Sequence, residues 1–242
     1  YPVIKPDIFI CSAKPEYDYV KASFGHPKGV VKYTGLARFD NLHKHIEKNQ
    51  ILIMPTFRKW LQGISVEDFL NSEYFMKWND VLNNPELCSL LKANDLELIF
   101  YPHYEMQKYV SCFKSQSQYI KIADFTHYDV QQLLMESKIL ITDFSSVFFD
   151  FAYMRKPVIY YQFDRDHYIK DHYDFTKGYF DYGTMGFGEV VFSLNKLINE
   201  IGTCIDHGCK LVEEYNEQVD KFFELHDQNN CERIYQEIQK IL

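Results

Sequence analysis

Short apolar runs alternate with longer amphipathic stretches along the 242 residues of the chain. Runs of only a few apolar residues, bounded by polar residues, Gly or Pro, are typical of buried strands. They predict strands at residues 8–10, 30–33, 51–54, 96–101, 119–123, 139–141, 158–161 and 190–192. Apolar residues at helical spacing predict helices at 16–24, 65–82, 128–136 and 146–154, and from 193 onward with breaks at Gly202 and Gly208.

This strand–helix alternation has short connections throughout. Consecutive strands joined by helices lie parallel, and the helices cover both faces of the sheet. The pattern therefore predicts an α/β fold with a Rossmann-like, doubly wound parallel sheet.

Composition narrows the class of protein. Hydrophobic residues make up 46% of the chain and aromatic residues 17%, which is too apolar for a disordered protein. The formal net charge of −8 argues against a nucleic-acid partner, since such proteins usually carry a basic excess. No apolar run approaches the ~20 residues of a membrane-spanning helix.

The six cysteines form no CxxC pair and have irregular spacing. Neither a disulfide framework nor a zinc site is indicated, so we predict free thiols, no metal-ligating residues, no tightly bound cofactor and a cytoplasmic location. The use of a divalent metal stays open. The chain begins with Tyr1 rather than Met, and we expect it to be part of a longer protein.

Candidate chemistry lies just after the predicted strands. Ligands of doubly wound folds bind at the carboxyl ends of the strands, so polar residues at those positions are expected to converge. They are Arg38, Asp40, Thr56, Arg58, His103, Asp143, Ser145 and Ser146.

The segment 141–150 (ITDFSSVFFD) is the clearest candidate for a phosphate-binding segment. A strand ends near Asp143 and a helix begins near Ser145, where free backbone N–H groups and two hydroxyls suit a phosphate. The alternative is that Ser145 simply caps the helix, as serine often does. Asp150 either supports this loop or faces solvent.

Three further residues can bind an anion. His103 follows a strand that ends at Pro102, where it can donate to a phosphate oxygen or act as an acid. Arg38 and Arg58 can each pair with a phosphate bidentately. The alternative for His103 is a surface histidine or one bonded to a nearby carbonyl. For Arg38 and Arg58 the alternative is an ordinary surface arginine, which is the more common case for either residue alone.

Several familiar nucleotide-binding and hydrolase motifs are absent. The sequence contains no GxGxxG after a strand, no P-loop and no GxSxG. This argues against a simple NAD enzyme, a P-loop NTPase and a hydrolase with a nucleophile elbow.

An ordered set of motifs resembles one family. The set consists of residues 34–40 (TGLARFD), 53–58 (IMPTFR), 100–103 (FYPH), 141–150, 156–161 (KPVIYY) and 222–234 with Asp227 and Arg233. Together these resemble the C-terminal half of the CDP-glycerol glycerophosphotransferases of teichoic acid and capsule synthesis.

The resemblance implies a glycosyltransferase-B architecture in which the C-terminal domain holds the CDP part of the donor. It implies attack of an acceptor hydroxyl on the donor's β-phosphorus, with CMP leaving. His103 would then contact or protonate the diphosphate as the catalytic residue. The implied donor-binding residues are Arg38, Thr56, Arg58, Asp143, Ser145 and Ser146.

The implied partners are a CDP-polyol donor, glycerol before ribitol, and a lipid-linked polymer acceptor. The parent protein would lie at the cytoplasmic face of the membrane. By the same resemblance, residues 1–34 end a preceding domain or crossover, 35–205 form the donor domain, and 206–242 are helices that pack back across the domains.

The sequence also departs from the family. The family's other catalytic histidine lies in a Trp-His-Gly-Thr-Pro motif that this chain lacks, so we expect the chain to be inactive alone. Ala37 replaces a frequent proline, and Asp227-Gln228 replaces an Asp-Gly pair. Two alternatives stay open: a UDP-sugar glycosyltransferase or epimerase-like relative, and a non-catalytic nucleotide-binding module.

Overall fold

Two structural units make up the computed structural model, which describes residues 5–44, 46–171 and 178–242. The first unit comprises residues 1–45, 177–187 and 213–242, and the second comprises 46–176 and 188–212. The predicted boundaries at 34/35 and 205/206 differ from this division, because the chain leaves the first unit and returns to it twice.

All strand pairs among the described residues are parallel. The strands are β1 Phe9–Cys11, β2 Val31–Tyr33, β3 Gln50–Ile53, β4 Glu97–Phe100, β5 Ile120–Ile122, β6 Ile139–Thr142, β7 Val158–Tyr161 and β8 Val190–Val191. β1 pairs with β2 in the first unit, and the second unit contains a six-stranded sheet of order β5-β4-β3-β6-β7-β8.

Helices connect the strands and follow them. They are α1 Lys14–Ser23, α2 Phe39–Leu42, α3 Val66–Leu70, α4 Glu73–Leu82, α5 Pro85–Ala93, α6 Val130–Glu136, α7 Val147–Tyr153, α8 Arg165–Asp171, α9 Leu194–Asp206, α10 Glu213–Phe222 and α11 Asn230–Gln239. Two 3₁₀ helices span Lys59–Leu61 and Tyr104–Cys112.

Helices cover both faces of the six-stranded sheet. Tyr160 and Tyr161 are neighbours in β7, so their side chains point to opposite faces. Phe148 of α7 packs edge-on against Tyr160, with ring centroids 5.2 Å apart. Trp78 of α4 packs edge-on against Tyr161 at 5.3 Å. This confirms the predicted doubly wound α/β fold.

Capping side chains decide where several helices begin. The predicted helix 65–82 is two helices, because the Ser72 hydroxyl accepts the Phe75 N–H and starts α4 anew. Asn84 likewise caps α5, with Pro85 at its first turn. The sequence analysis missed α2, α5 and α8.

The predicted break at Gly202 was wrong. Gly202 lies inside α9, on a part of the helix where an added Cβ would meet nothing within 4 Å. Gly208 follows the end of α9 with a φ of +68°, a conformation that favours glycine.

The first unit is held together by two sequence motifs that meet in space. The Asp40 carboxylate accepts the Asn230 N–H at 3.0 Å and the Cys231 N–H at 2.8 Å, both at the first turn of α11. Arg233 donates to the Thr34 carbonyl at 2.8 Å and to Asp227 at 2.8 Å. Segments 34–40 and 227–233 therefore lock each other in place.

A search of the described residues finds no helix that is both long and apolar enough to cross a membrane.

Candidate functional site

The candidate site lies where the winding of the six-stranded sheet reverses. β3 and β6 are neighbours, but from β3 the chain continues to β4 on one side, and from β6 it continues to β7 on the other. The connections diverge at this switch point and leave a crevice at the carboxyl ends of the strands, where doubly wound folds bind ligands.

Asp143 joins the two loops at this crevice. Its carboxylate accepts the Thr56 N–H at 2.8 Å, across from the β6 loop to the β3 loop, and the Phe144 N–H at 2.6 Å. The Asp143 backbone carbonyl accepts from the Gln162 side chain at 3.0 Å, which adds the end of β7. A single residue thus fixes the ends of three adjacent strands.

Arg58 completes this arrangement from the interior. Its guanidinium donates to Asp143 at 2.8 Å and to both oxygens of Asp164, at 2.6 and 2.9 Å. The remaining nitrogen donates to the carbonyls of Thr56 and Phe57. Every guanidinium donor therefore has an acceptor, which is the condition for burying an arginine.

Aromatic rings enclose the same guanidinium. The ring centroids of Tyr74, Phe144, Phe163 and Tyr168 lie 4.9–5.8 Å from its central carbon. Burial alone would lower the pKa of Arg58, but the carboxylates of Asp143 and Asp164 raise it, so the side chain stays charged.

The structure corrects the direct roles implied for Arg58 and Asp143. Both side chains are fully buried and bonded to one another, so neither reaches a ligand as the fold stands. They fix the loops that follow β3 and β6. The sequence analysis missed Asp164, the third member of this ion cluster; its only sequence signal was a carboxylate at the end of a buried strand.

His103 lies at the end of β4, next to β3. Its backbone N–H donates to the Pro55 carbonyl at 3.3 Å, and its ring centroid lies 4.8 Å from that of Phe57. Its Nδ1 accepts the Glu105 N–H at 3.2 Å, which leaves Nε2 to carry the proton of the neutral ring. Burial lowers the pKa of His103, against the raising effect of Glu105 and Asp143. His103 is therefore a neutral hydrogen-bond donor near neutral pH.

Ser145 and Ser146 lie at the start of α7. Ser146 occupies the N-cap position with helical backbone angles and makes no capping bond through its side chain. Within the described ranges, the Ser145 hydroxyl makes no internal hydrogen bond either. The capping alternative for Ser145 is therefore wrong, and both hydroxyls are available to a ligand.

At the ends of β3 and β7, one buried side-chain oxygen each has no hydrogen-bond partner among the residues that the structure describes. They are Oγ1 of Thr56, a residue with 8% exposure, and Oε1 of Gln162, which is fully buried. Buried polar atoms are normally paired, so these atoms mark places where a water or a ligand group can bind.

The other candidate residues lie elsewhere. Arg38 and Asp40 follow β2 in the first unit, where the Arg38 guanidinium lies 5.3 Å from the Phe39 ring centroid. A donor-binding role for Arg38 stays a prediction. Asp150 is buried in α7 rather than facing solvent. Across residues 5–44, 46–171 and 178–242, no group of three or more His, Cys, Asp or Glu could hold a metal ion.

Comparison with known proteins adds independent information. Residues 6–240 match the family described as CDP-Glycerol:Poly(glycerophosphate) glycerophosphotransferase. The minor teichoic acid biosynthesis protein GgaB of Bacillus subtilis (strain 168) is 36% identical over 97% of this chain.

Among solved structures, a variant of the wall teichoic acid polymerase TagF superposes with a TM-score of 0.70 over 98% of this chain, at 18% identity. A putative UDP-N-acetylglucosamine 2-epimerase from Listeria monocytogenes superposes with a TM-score of 0.57 over 96% of this chain, at 16% identity. At these identities the likeness shows a common fold.

The chain spans 26% of the length of GgaB and 59% of the TagF chain.

Proposed function

Because the chain belongs to the CDP-glycerol:poly(glycerophosphate) glycerophosphotransferase family, we propose that it forms the donor-binding part of a polyol-phosphate transferase. The donor is a CDP-activated polyol, with glycerol favoured over ribitol by the name of the family. We further propose that the acceptor is a hydroxyl of a lipid-linked, teichoic-acid-like polymer and that the parent protein acts at the cytoplasmic face of the membrane.

One observation carries this proposal. His103, Thr56 and the Ser145–Ser146 pair follow β4, β3 and β6, three neighbouring strands, and lie around the switch point of the sheet. A neutral imidazole N–H, free hydroxyls and backbone N–H groups are donors that bind phosphate oxygens without requiring a large positive charge. This fits a chain whose formal net charge is −8.

The transfer reaction needs positioning and stabilisation of charge. The acceptor hydroxyl oxygen forms a bond to the β-phosphorus, the bond from that phosphorus to the bridging oxygen breaks, and CMP leaves with the bonding electrons. Negative charge grows on the bridging oxygen, where the Nε2–H of His103 donates. Preorganised donors of this kind lower the barrier.

The buried cluster of Arg58, Asp143 and Asp164 supports this step indirectly. It fixes the loops whose hydroxyl and N–H groups bind phosphate, before the CDP-polyol binds. A preformed site does not have to be ordered during the reaction. The general base that accepts the proton of the attacking hydroxyl would come from outside these 242 residues.

Calorimetric titration of the chain with CDP, UDP, GDP and ADP tests the proposal. We expect selective binding of CDP, with His103→Ala weakening it by roughly 10- to 150-fold, the equivalent of losing one charged hydrogen bond. Preference for UDP would favour a sugar-nucleotide enzyme instead. Equal CDP affinity in wild type and His103→Ala would remove His103 from the site.

Transfer itself is measured on the complete parent protein with CDP-glycerol and a lipid-linked acceptor. His103→Ala should abolish transfer while the protein still binds the acceptor. Full CDP binding without any transfer by the complete protein would instead favour a non-catalytic nucleotide-binding module.

A further inference from the structure

Two exposed aromatic side chains touch each other at the same edge of the sheet as the candidate site. Tyr104 is 67% exposed and Phe125 is 52% exposed. Their ring centroids lie 5.4 Å apart with an edge-to-face angle of 66°. An exposed pair of rings offers aromatic faces on which a flat apolar ligand group can stack.

The aromatic pair lies at the same sheet edge as the groups proposed to donate hydrogen bonds to phosphate. Tyr104 directly follows His103 at the end of β4, and Phe125 lies just after β5, which is the strand beyond β4. From β6 the edge of the sheet therefore carries, in order, the serine pair, Thr56, His103 with Tyr104, and Phe125.

The spacing suits a nucleoside diphosphate that lies along this edge. Neighbouring strands are about 4.8 Å apart, so β6 and β5 are separated by roughly 14 Å. This is comparable with the length of an extended nucleoside diphosphate. With its phosphates at the serine pair and His103, the base reaches the end of β5, where aromatic faces offer a stacking surface.

A carboxylate, that of Asp124, directly precedes Phe125 in the chain. One oxygen of Asp124 accepts the backbone N–H groups of Thr126 at 2.8 Å and His127 at 3.1 Å. Among the described residues, the second oxygen contacts only the His127 ring, at 2.9 Å, and the side chain is one-third exposed. Hydrogen bonds from Thr126 and His127 hold the pKa of Asp124 well below its usual range, so it stays an acceptor.

An ionised carboxylate distinguishes two pyrimidines. Cytosine carries an exocyclic amino group that donates a hydrogen bond, whereas uracil has a carbonyl oxygen at the same position. Aspartate accepts from the cytosine amino group and is repelled by the uracil oxygen.

We propose that the aromatic pair of Tyr104 and Phe125 stacks on the base of the donor nucleotide, while Asp124 accepts from the amino group of cytosine. This inference rests on the proposed function. It assigns the preference of the donor site for cytosine over uracil to Asp124. The residues that donate hydrogen bonds to phosphate and the residues that bind the base then contact opposite ends of the same ligand.

Titrations of the chain with CDP, UDP and inorganic pyrophosphate test the proposal. Tyr104→Ala and Phe125→Ala should each weaken CDP binding by roughly 5- to 150-fold, as expected for the loss of base stacking. The affinity for pyrophosphate should stay unchanged. Tyr104→Phe and Phe125→Tyr keep the rings and should bind CDP like the wild type.

Asp124→Asn keeps an acceptor for the Thr126 and His127 N–H groups and removes the charge. It should lower the CDP-to-UDP preference roughly 5- to 150-fold. Phe192→Ala is the matched control, since Phe192 is a similarly exposed ring, at 54%, beyond the opposite edge strand β8; it should leave CDP affinity unchanged.

The outcomes separate the two proposals. If the wild type binds CDP and the alanine variants bind it equally well, stacking on the aromatic pair is wrong while the proposed function stands. If Asp124→Asn keeps the full CDP preference, the role of Asp124 is wrong. If the wild type binds neither CDP nor pyrophosphate, the proposed function and this inference fail together.

Discussion

Arg58 donates to Asp143 at 2.8 Å, and neither side chain is exposed to solvent. The pair connects the loop after β3 to the loop after β6, which are the two loops at the switch point of the sheet. Because Asp164 accepts from the same guanidinium, the cluster holds two carboxylates and one cation. Such clusters are costly to break and impose one arrangement on the loops around them.

Arg58→Met should destabilise the second unit by about 3–5 kcal/mol, because two buried carboxylates lose their cation. Arg58→Lys should recover only part of this stability, since an ammonium cannot match the planar set of donors. Urea unfolding followed by tryptophan fluorescence is a suitable measurement, because both tryptophans, Trp60 and Trp78, belong to this unit.

The matched control is Arg165→Met, at a half-buried arginine just after Asp164. We expect a change within about 0.5 kcal/mol for this variant. Similar losses in the Arg58 and Arg165 variants would contradict a specific role for the cluster.

Gly35→Ala should destabilise the first unit by about 2 kcal/mol or more. Gly35 has a φ of +74°, and an added Cβ would lie 1.8 Å from Oδ1 of Asn230, so both backbone strain and a clash arise. Faster amide hydrogen exchange in residues 230–239 would report the loss of α11 packing.

Gly25→Ala measures the effect of backbone strain without a steric clash, and so serves as the control for Gly35→Ala. Gly25 lies in the same unit with a φ of +67° and has nothing within 4 Å of an added Cβ. It should cost only the backbone strain of about 1–2 kcal/mol and leave exchange in residues 230–239 unchanged. Equal effects of both substitutions would mean that the contact with Asn230 is unimportant.

The Ser145→Ala, Ser146→Ala double variant should weaken CDP binding roughly 30-fold and leave cytidine binding unchanged. Two hydroxyl donors to a charged phosphate are lost, whereas cytidine has no phosphate to bind. Side-by-side calorimetry of both ligands measures the difference.

Ser193→Ala provides the control for the serine pair. Ser193 also starts a helix in the second unit without capping it, but it follows β8 at the far edge of the sheet. CDP affinity should be unaffected. Equal losses for CDP and cytidine in the double variant would show that the serine pair does not bind phosphate.

The depressed pKa of His103 predicts a pH effect on stability. The pKa of His103 is lower in the folded protein than in the unfolded chain. As pH falls, the imidazole is therefore protonated in the unfolded chain before it is protonated in the folded protein. The contribution of His103 is therefore complete above the unfolded pKa of about 6.5 and is lost as pH falls through the lower folded value.

His103→Gln removes this titration and keeps a polar side chain. Between about pH 7 and pH 5, the free energy of unfolding of the wild type should fall relative to that of His103→Gln. Denaturant titrations at several pH values give both quantities. If the difference in unfolding free energy between the wild type and His103→Gln is the same at every pH in this range, the folded protein does not lower the pKa of His103.

The sequence predicted the central strands well because each is largely a run of apolar residues. Residues 51–53 of β3 and 139–141 of β6, for example, are all apolar and fully buried, and a run of that kind has few other ways to avoid water. The helices were harder to delimit. Ser72 divides the predicted helix 65–82, and only the bond from its hydroxyl to the Phe75 N–H decided that it acts as a cap.

The sequence by itself determined which residues follow the strands, and since parallel strands end at one edge, it placed His103, Thr56 and the serine pair together. It also carried the motifs of the family. Only the tertiary structure decided that Arg58 and Asp143 are buried against Asp164, 106 residues beyond Arg58, and that Tyr104 contacts Phe125. Such pairings depend on which strands become neighbours and on what burial demands of a charge, and neither can be inferred from local pattern.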